Sequence, residues 1–133
     1  MIHAYAPSLE DIDTIARKAL AKLPEPFAGY LKDVVLVVED LPSDDLLREL
    51  EIDNPYELTG LYMGRPAEQE AATGDLPPMV HLFRRPILEE WIDTGVNFEQ
   101  LVSLILIHEV GHHFGLSDED MAWLEDTLKP ETK

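Results

Sequence analysis

Hydrophobic residues recur every three or four positions over several segments of the chain, a period typical of helices that bury one face. In the first segment, Ser8 and Asp11 have the spacing of a capping box. Asn97 and Ser117 are the predicted N-caps of the last two helices. The helices that begin at Pro86 and Phe98 are predicted to end at Gly95 and Gly115. The helical segments predicted in this way are Ser8–Leu23, Glu25–Lys32, Leu41–Ile52, Pro86–Ile92, Phe98–Phe114 and Ser117–Leu128.

Three further segments have the pattern of β-strands. Val34–Val38 is β-branched and apolar on both faces, which predicts a central strand. Leu58–Met63 is a second candidate, and Met79–Phe83 is a third, with His81 on one of its alternating faces. The polar segment Arg65–Pro78 predicts a mobile loop. This order of helices and strands indicates an α+β domain with a small sheet.

Composition and charge narrow the class of protein. The 133 residues include 10 Lys and Arg against 27 Asp and Glu, a net charge of −17, and 45% are hydrophobic. One acidic domain over residues 1–133 is expected, and neither nucleic acid nor an anionic membrane is an expected partner. Cysteine is absent and Met1–Pro7 has no secretion signal, so a cytoplasmic location is expected. The longest apolar run, Leu101–Ile107, is far shorter than the about 20 residues that span a bilayer.

One sequence motif contains candidate metal ligands and a candidate catalytic base. His108, Glu109 and His112 form His-Glu-x-x-His on the predicted helix, and Gly115 and Asp118 extend it. At about 100° per residue, the two histidines lie within about 40° of each other and one turn apart, so both can bind one Zn²⁺. Glu109 reaches the same side of the helix, where it can accept a proton from a metal-bound water.

The third metal ligand is predicted to be Asp118. A left-handed residue at Gly115 would end the helix and return the chain to the metal, and His₂-carboxylate is a known catalytic set. Asp118 is also suited to the first turn of the next helix, where acids favour the helix dipole. Glu125, on that last helix, is the next candidate ligand.

The histidines also have simpler interpretations. His108 and His112 would be favourable near the negative end of a helix without any metal. His113 lies about 140° from His108 around the helix and cannot join the same site. His81 has apolar neighbours on its face, which is more typical of a packed or cleft-lining histidine than of a ligand.

The motif and its surroundings resemble the small bacterial zincin-like metallopeptidase family over most of residues 8–128. The resemblance rests on Thr59–Gly64, Val80–Arg84 and Ile107–Asp118. It implies a minimal zincin fold, in which a small mixed sheet packs on the motif helix and a peptide substrate lies beside the edge strand. In the similar but longer metzincins, a histidine stands where this chain has Asp118.

Two functions are compatible with these residues. The favoured one is a zinc-dependent peptidase in which Glu109 is the base and Tyr62, His81 or a backbone N–H stabilises the oxyanion. A peptide or protein substrate is then expected to bind as an added strand along Met79–Phe83, an expected edge strand bracketed by prolines. The alternative is a non-catalytic zincin-like module with a structural metal or none, whose acidic surface and Tyr62-lined groove bind a partner.

Overall fold

The computed structural model describes residues 6–25, 27–31, 33–63, 78–114 and 117–128. The predicted α+β class is confirmed, and helices and strands follow one another along the chain in the predicted order. The predicted loop Arg65–Pro78 lies outside the described residues except for Pro78. In chain order the elements are α1 (Leu9–Ala21), α2 (Phe27–Tyr30), β1 (Val35–Glu39), α3 (Asp44–Glu49), a 3₁₀ turn (Pro55–Glu57), β2 (Gly60–Met63), β3 (Met79–Phe83), α4 (Arg84–Thr94), α5 (Phe98–Phe114) and α6 (Asp118–Leu128).

The predicted caps define the helix starts. The Ser8 hydroxyl accepts the N–H of Asp11 at 3.1 Å, and the Asp11 carboxylate accepts the Ser8 N–H at 2.8 Å, which completes the capping box. The side chains of Asn97 and Ser117 each accept the backbone N–H three residues later, at 2.9 and 3.2 Å. Helix α4 ends, as predicted, at Gly95, whose φ is 71°. Local sequence therefore determines where these helices begin and end.

The sheet has the strand order β1-β3-β2. Strand β3 pairs in parallel with β1 and antiparallel with β2, so both of its edges are hydrogen-bonded within the protein. The prediction that Met79–Phe83 offers an open edge to a substrate is therefore wrong. Pro78 and Pro86 lie outside the strand and remove no hydrogen bond from either ladder.

The central position predicted for Val34–Val38 is also wrong. In the part of the chain that the structure describes, β1 pairs with β3 alone and lies on one side of the sheet. A run of residues that is apolar on both faces of a strand indicates that other elements cover both faces of the sheet there. It does not report how many strands lie beside it.

The core lies between one face of the sheet, α1 and α5. Val80 and Leu82 of β3 are fully buried there together with Ile12 of α1 and Leu106 of α5. Because successive side chains of a strand point to opposite faces, His81 belongs to the other face of the sheet. Within the described ranges, no helix has both the length and the apolar character needed to cross a membrane.

Two glycines permit close approaches to α5. A Cβ atom on Gly60 would lie 2.9 Å from Ile105 Cγ2 and 3.2 Å from the His81 carbonyl oxygen, so only glycine lets β2 lie this close to α5. A Cβ atom on Gly111 would lie 2.7 Å from Cε of Met121 in α6. Strand β2 and helix α6 thereby flank the C-terminal half of α5.

Candidate functional site

Glu109 is held by the backbone of β2. The Tyr62 N–H donates to Glu109 Oε1 at 2.7 Å, and the carboxylate is partly buried. The Phe83 N–H donates to the Thr59 carbonyl at 2.9 Å, so Thr59 belongs to a hydrogen-bonded pair of the antiparallel ladder. Hydrogen-bonded and non-hydrogen-bonded pairs alternate along an antiparallel ladder, so Tyr62, three residues after Thr59, belongs to a non-hydrogen-bonded pair. Its N–H therefore points away from β3 and towards α5.

His108 is in contact with α6. Its Nε2 atom lies 2.9 Å from Glu125 Oε1, with the imidazole 58% exposed and the carboxylate 29% exposed. Gly111 and Met121 also lie close together across the two helices. The earlier residue of α5, His108, meets the later residue of α6, Glu125, and Gly111 meets Met121. The two helices therefore run antiparallel. Glu125 is thereby brought to the motif histidine from the second helix.

A cavity opens beside these residues. Its volume is about 360 Å³, and its walls include both His108 and Glu109. The His108 imidazole in its wall is exposed to solvent. The other lining residues are Thr59, Glu90, Leu101, Leu104 and Ile105.

The structure brings some of the predicted site residues together. His108 and Glu109 line the same cavity, and Tyr62 reaches Glu109 through its backbone, while its side chain packs against the core. His112 is one turn after His108 in α5, and Asp118 is the first residue of α6. The side chains of His112, His113 and Asp118 and the whole of Gly115 lie outside the described residues.

His81 is not part of this group. It lies on the face of the sheet opposite to Val80 and Leu82, away from α5. Its ring stacks on Phe83 with 6.1 Å between centroids, and its Nδ1 lies 3.5 Å from Glu39 Oε1. Among the described residues neither ring nitrogen has a hydrogen-bond partner. The role of His81 in substrate binding stays a prediction, and any such role would be on the face of the sheet opposite to α5.

The donor chemistry fits a zinc ion. An imidazole nitrogen and a carboxylate oxygen, two ligand types that zinc prefers, lie 2.9 Å apart at His108 and Glu125. The described side chains alone contain no group of three potential ligands. The motif supplies the further candidates, because His112 follows His108 by one helical turn.

Among the cavity residues that the sequence did not predict as site residues, Leu104 and Glu90 differ in the signal that the sequence contains. Leu104 lies four residues before His108, a spacing that places both on one face of a helix, so the helical period contains the signal. Glu90 carries no such signal, because it reaches the cavity from a different helix. Only the packing of α4 beside α5 brings it there.

Comparison with known proteins adds an independent finding. The sequence model of the family described as zincin-like metallopeptidase matches residues 31–128. The match extends from just before β1 to the last residue of α6 and contains every residue of the cavity and the motif. No protein matched in a search of curated proteins. The chain therefore belongs to the zincin-like metallopeptidase family.

Proposed function

We propose that this protein is a zinc-dependent peptidase that hydrolyses peptide bonds with Glu109 as its general base. The observation that carries the proposal is the hydrogen bond from the Tyr62 N–H to Glu109, 2.7 Å long, next to His108 and at the wall of an open cavity. A base with a fixed orientation beside space for a substrate is what general-base hydrolysis requires. Membership of the zincin-like metallopeptidase family supports a hydrolase.

Zinc would be held by His108, His112 and a carboxylate from α6. Asp118, predicted from its spacing, begins α6, and Glu125 lies two helical turns later on the same face. The 2.9 Å contact between Glu125 and His108 supports a ligand from this helix. When bound, zinc lowers the pKa of a coordinated water to about 7 and polarises the scissile carbonyl.

Glu109 performs the proton transfers. Its carboxylate accepts a proton from the attacking water and passes that proton to the amide nitrogen as the peptide bond breaks. The Tyr62 N–H holds one carboxylate oxygen in place, so the side chain keeps one orientation through both transfers. This positioning lowers the entropy cost of the reaction.

The substrate is placed beside β2 in this proposal, since β3 has no open edge. Gly60, two residues before Tyr62, also belongs to a non-hydrogen-bonded pair of the ladder. The backbone N–H and C=O groups of both residues therefore point away from β3, on the side where Glu109 lies. An extended peptide that adds to this edge would pair its own backbone donors and acceptors there. The scissile bond then lies between β2 and the motif helix.

The proposal is tested by a peptide-library cleavage screen on the zinc-loaded protein, followed by the Glu109→Gln variant. Gln has nearly the same shape but cannot accept the proton, so cleavage is expected to fall about 100-fold or more while zinc is retained. Glu99→Gln, at an exposed position in the first turn of α5, is the matched control and should change neither property. Cleavage by Glu109→Gln at the wild-type rate would show that another group activates the water.

A non-catalytic module remains a second candidate because of Glu125. If Asp118 and Glu125 both joined the two histidines, four protein ligands would close the site, as in structural zinc sites. Zinc titration of Asp118→Ala and Glu125→Ala separates these cases, with Glu119→Ala as the control. Loss of a ligand should weaken zinc binding by more than the about 10- to 100-fold typical of outer-shell changes. Such a loss in one variant supports the open site, and in both variants it supports the module.

A further inference from the structure

The cavity beside Glu109 has an apolar floor and an acidic rim. Leu101 and Ile105, which are 4% and 8% exposed, form the buried part of its wall, and Leu104 is partly buried. Glu90 is an exposed residue of the same wall and carries a negative charge there. Apolar carbon therefore lines the inner part of the cavity, with a carboxylate where the cavity meets solvent.

The position of Glu90 is fixed by the packing of α4 on α5. The next residue, Trp91, packs edge-on against Phe98 at the start of α5, with 5.1 Å between the ring centroids. Nothing within the described ranges pairs a cationic side chain with the Glu90 carboxylate. Arg84, in the first turn of the same helix, is bound instead to Asp40 and to the Pro7 carbonyl. The charge of Glu90 is therefore available to a ligand.

We infer that this cavity binds a lysine or arginine side chain of the peptide substrate, adjacent to the scissile bond, and that Glu90 selects it. The aliphatic part of such a side chain packs on Leu101 and Leu104, and its cationic end reaches the carboxylate at the rim. The volume of about 360 Å³ is sufficient for one long side chain. The net charge of −17 also attracts cationic peptides. This inference rests on the proposed peptidase function and gives its substrate class.

The competing occupant is an apolar side chain such as leucine. Leucine would use the same floor and would leave Glu90 in water, where its charge contributes nothing to selection. The two cases differ in whether the affinity for a peptide depends on the positive charge of the side chain in the cavity when the shape of that side chain is kept the same. Arginine and citrulline provide that comparison, because citrulline is a neutral isostere of arginine.

The experiment measures binding and cleavage separately. Peptides that differ only at one residue beside the scissile bond, with arginine, citrulline, leucine or glutamate, are bound to the zinc-loaded Glu109→Gln protein and followed by fluorescence anisotropy. The same peptides are then offered to the wild-type enzyme. Glu90→Gln and Glu90→Lys are introduced in both backgrounds. Glu89→Gln is the matched control, because it makes the same change of net charge at an exposed neighbour that does not line the cavity.

Arginine is expected to bind about 3- to 10-fold more tightly than citrulline, as for one partly exposed ion pair. Glu90→Gln should remove this difference, Glu90→Lys should favour the glutamate peptide, and Glu89→Gln should preserve the arginine preference. Equal binding of arginine and citrulline, or a preference unchanged in Glu90→Gln, overturns the inference even if the enzyme cleaves peptides. A Glu90-dependent preference in binding without any cleavage by the wild type supports the inference and contradicts the peptidase function.

Discussion

At the scale of single residues, a main-chain donor of β2 binds the Glu109 carboxylate. The Tyr62 N–H is directed away from β3, so replacing Tyr62 by proline removes this donor without breaking the ladder between β2 and β3. Tyr62→Pro is expected to lower kcat/KM by about 10- to 100-fold through loss of a positioned base. Steady-state kinetics on a peptide found in the cleavage screen measure this effect.

Tyr62→Ala is the control for this prediction. It removes the side chain that packs against the core but keeps the N–H, so it reports the effect of losing the side chain. Thermal unfolding of both variants shows whether they are folded to the same extent at the assay temperature. Equal kcat/KM values for the two variants would contradict a positioning role for the N–H.

Sequence alone predicts the reactive side chains better than their supports. His108 and Glu109 follow from the spacing of the motif, whereas no pattern in the sequence predicts that the Tyr62 N–H binds Glu109. Tyr62 and Glu109 are 47 residues apart, so their contact depends on the register of β2 beside β3. The same limit applies to His81. The alternation of side chains along a strand places His81 and Val80 on opposite faces of the sheet, but it does not predict which face packs against α5.

At the scale of elements, Gly111 controls the distance between α5 and α6. Gly111→Ala would place a methyl group 2.7 Å from Met121 Cε, an overpacking that typically costs about 1–3 kcal/mol. The higher helix propensity of alanine stabilises the folded protein by at most about 1 kcal/mol. We therefore expect the free energy of unfolding to fall by up to about 2 kcal/mol, as measured by urea denaturation of the zinc-free protein.

A double-mutant cycle with Met121→Ala isolates the clash. In the Met121→Ala background the space beside Gly111 is open, so Gly111→Ala should stabilise the protein through helix propensity alone. The sign of the effect is thus expected to reverse. The same loss of stability in both backgrounds would mean that Met121 is not what limits the approach of α6.

The helices were more predictable than the sheet. Ser8, Asn97 and Ser117 cap their helices through contacts within three residues, and such contacts leave a mark in the local sequence. Strand order depends on contacts between distant segments. The apolar pattern of β1 correctly indicated a strand but wrongly indicated its neighbours, and the prolines near β3 suggested an edge that its two ladders exclude.

At the scale of the whole molecule, acidic residues outnumber basic ones by 27 to 10. Their mutual repulsion opposes the compact state, and salt weakens that repulsion. Raising the NaCl concentration from about 10 to 150 mM shortens the Debye length from about 30 to 8 Å. We expect the Tm of the zinc-free protein to rise by about 3 °C or more, measured by circular dichroism.

Potassium chloride at the same ionic strength is the control for this prediction. Screening depends on ionic strength and is indifferent to which monovalent cation provides it. The two salts should therefore give the same rise in Tm. A Tm that stays constant or falls with salt would indicate that net repulsion does not limit the stability of the fold.

The parallel pairing of β1 with β3 also has a consequence for the order of folding. Helices α5 and α6 meet through a short connection, whereas the sheet joins segments that are far apart in the chain and must close long loops first. Helix formation takes microseconds, and distant strand pairing is slower. In refolding, the helical circular dichroism should thus return before cleavage activity does. A chain that is still folding holds the motif helix without an oriented Glu109, so the proposed peptidase activity is expected only after the sheet has closed.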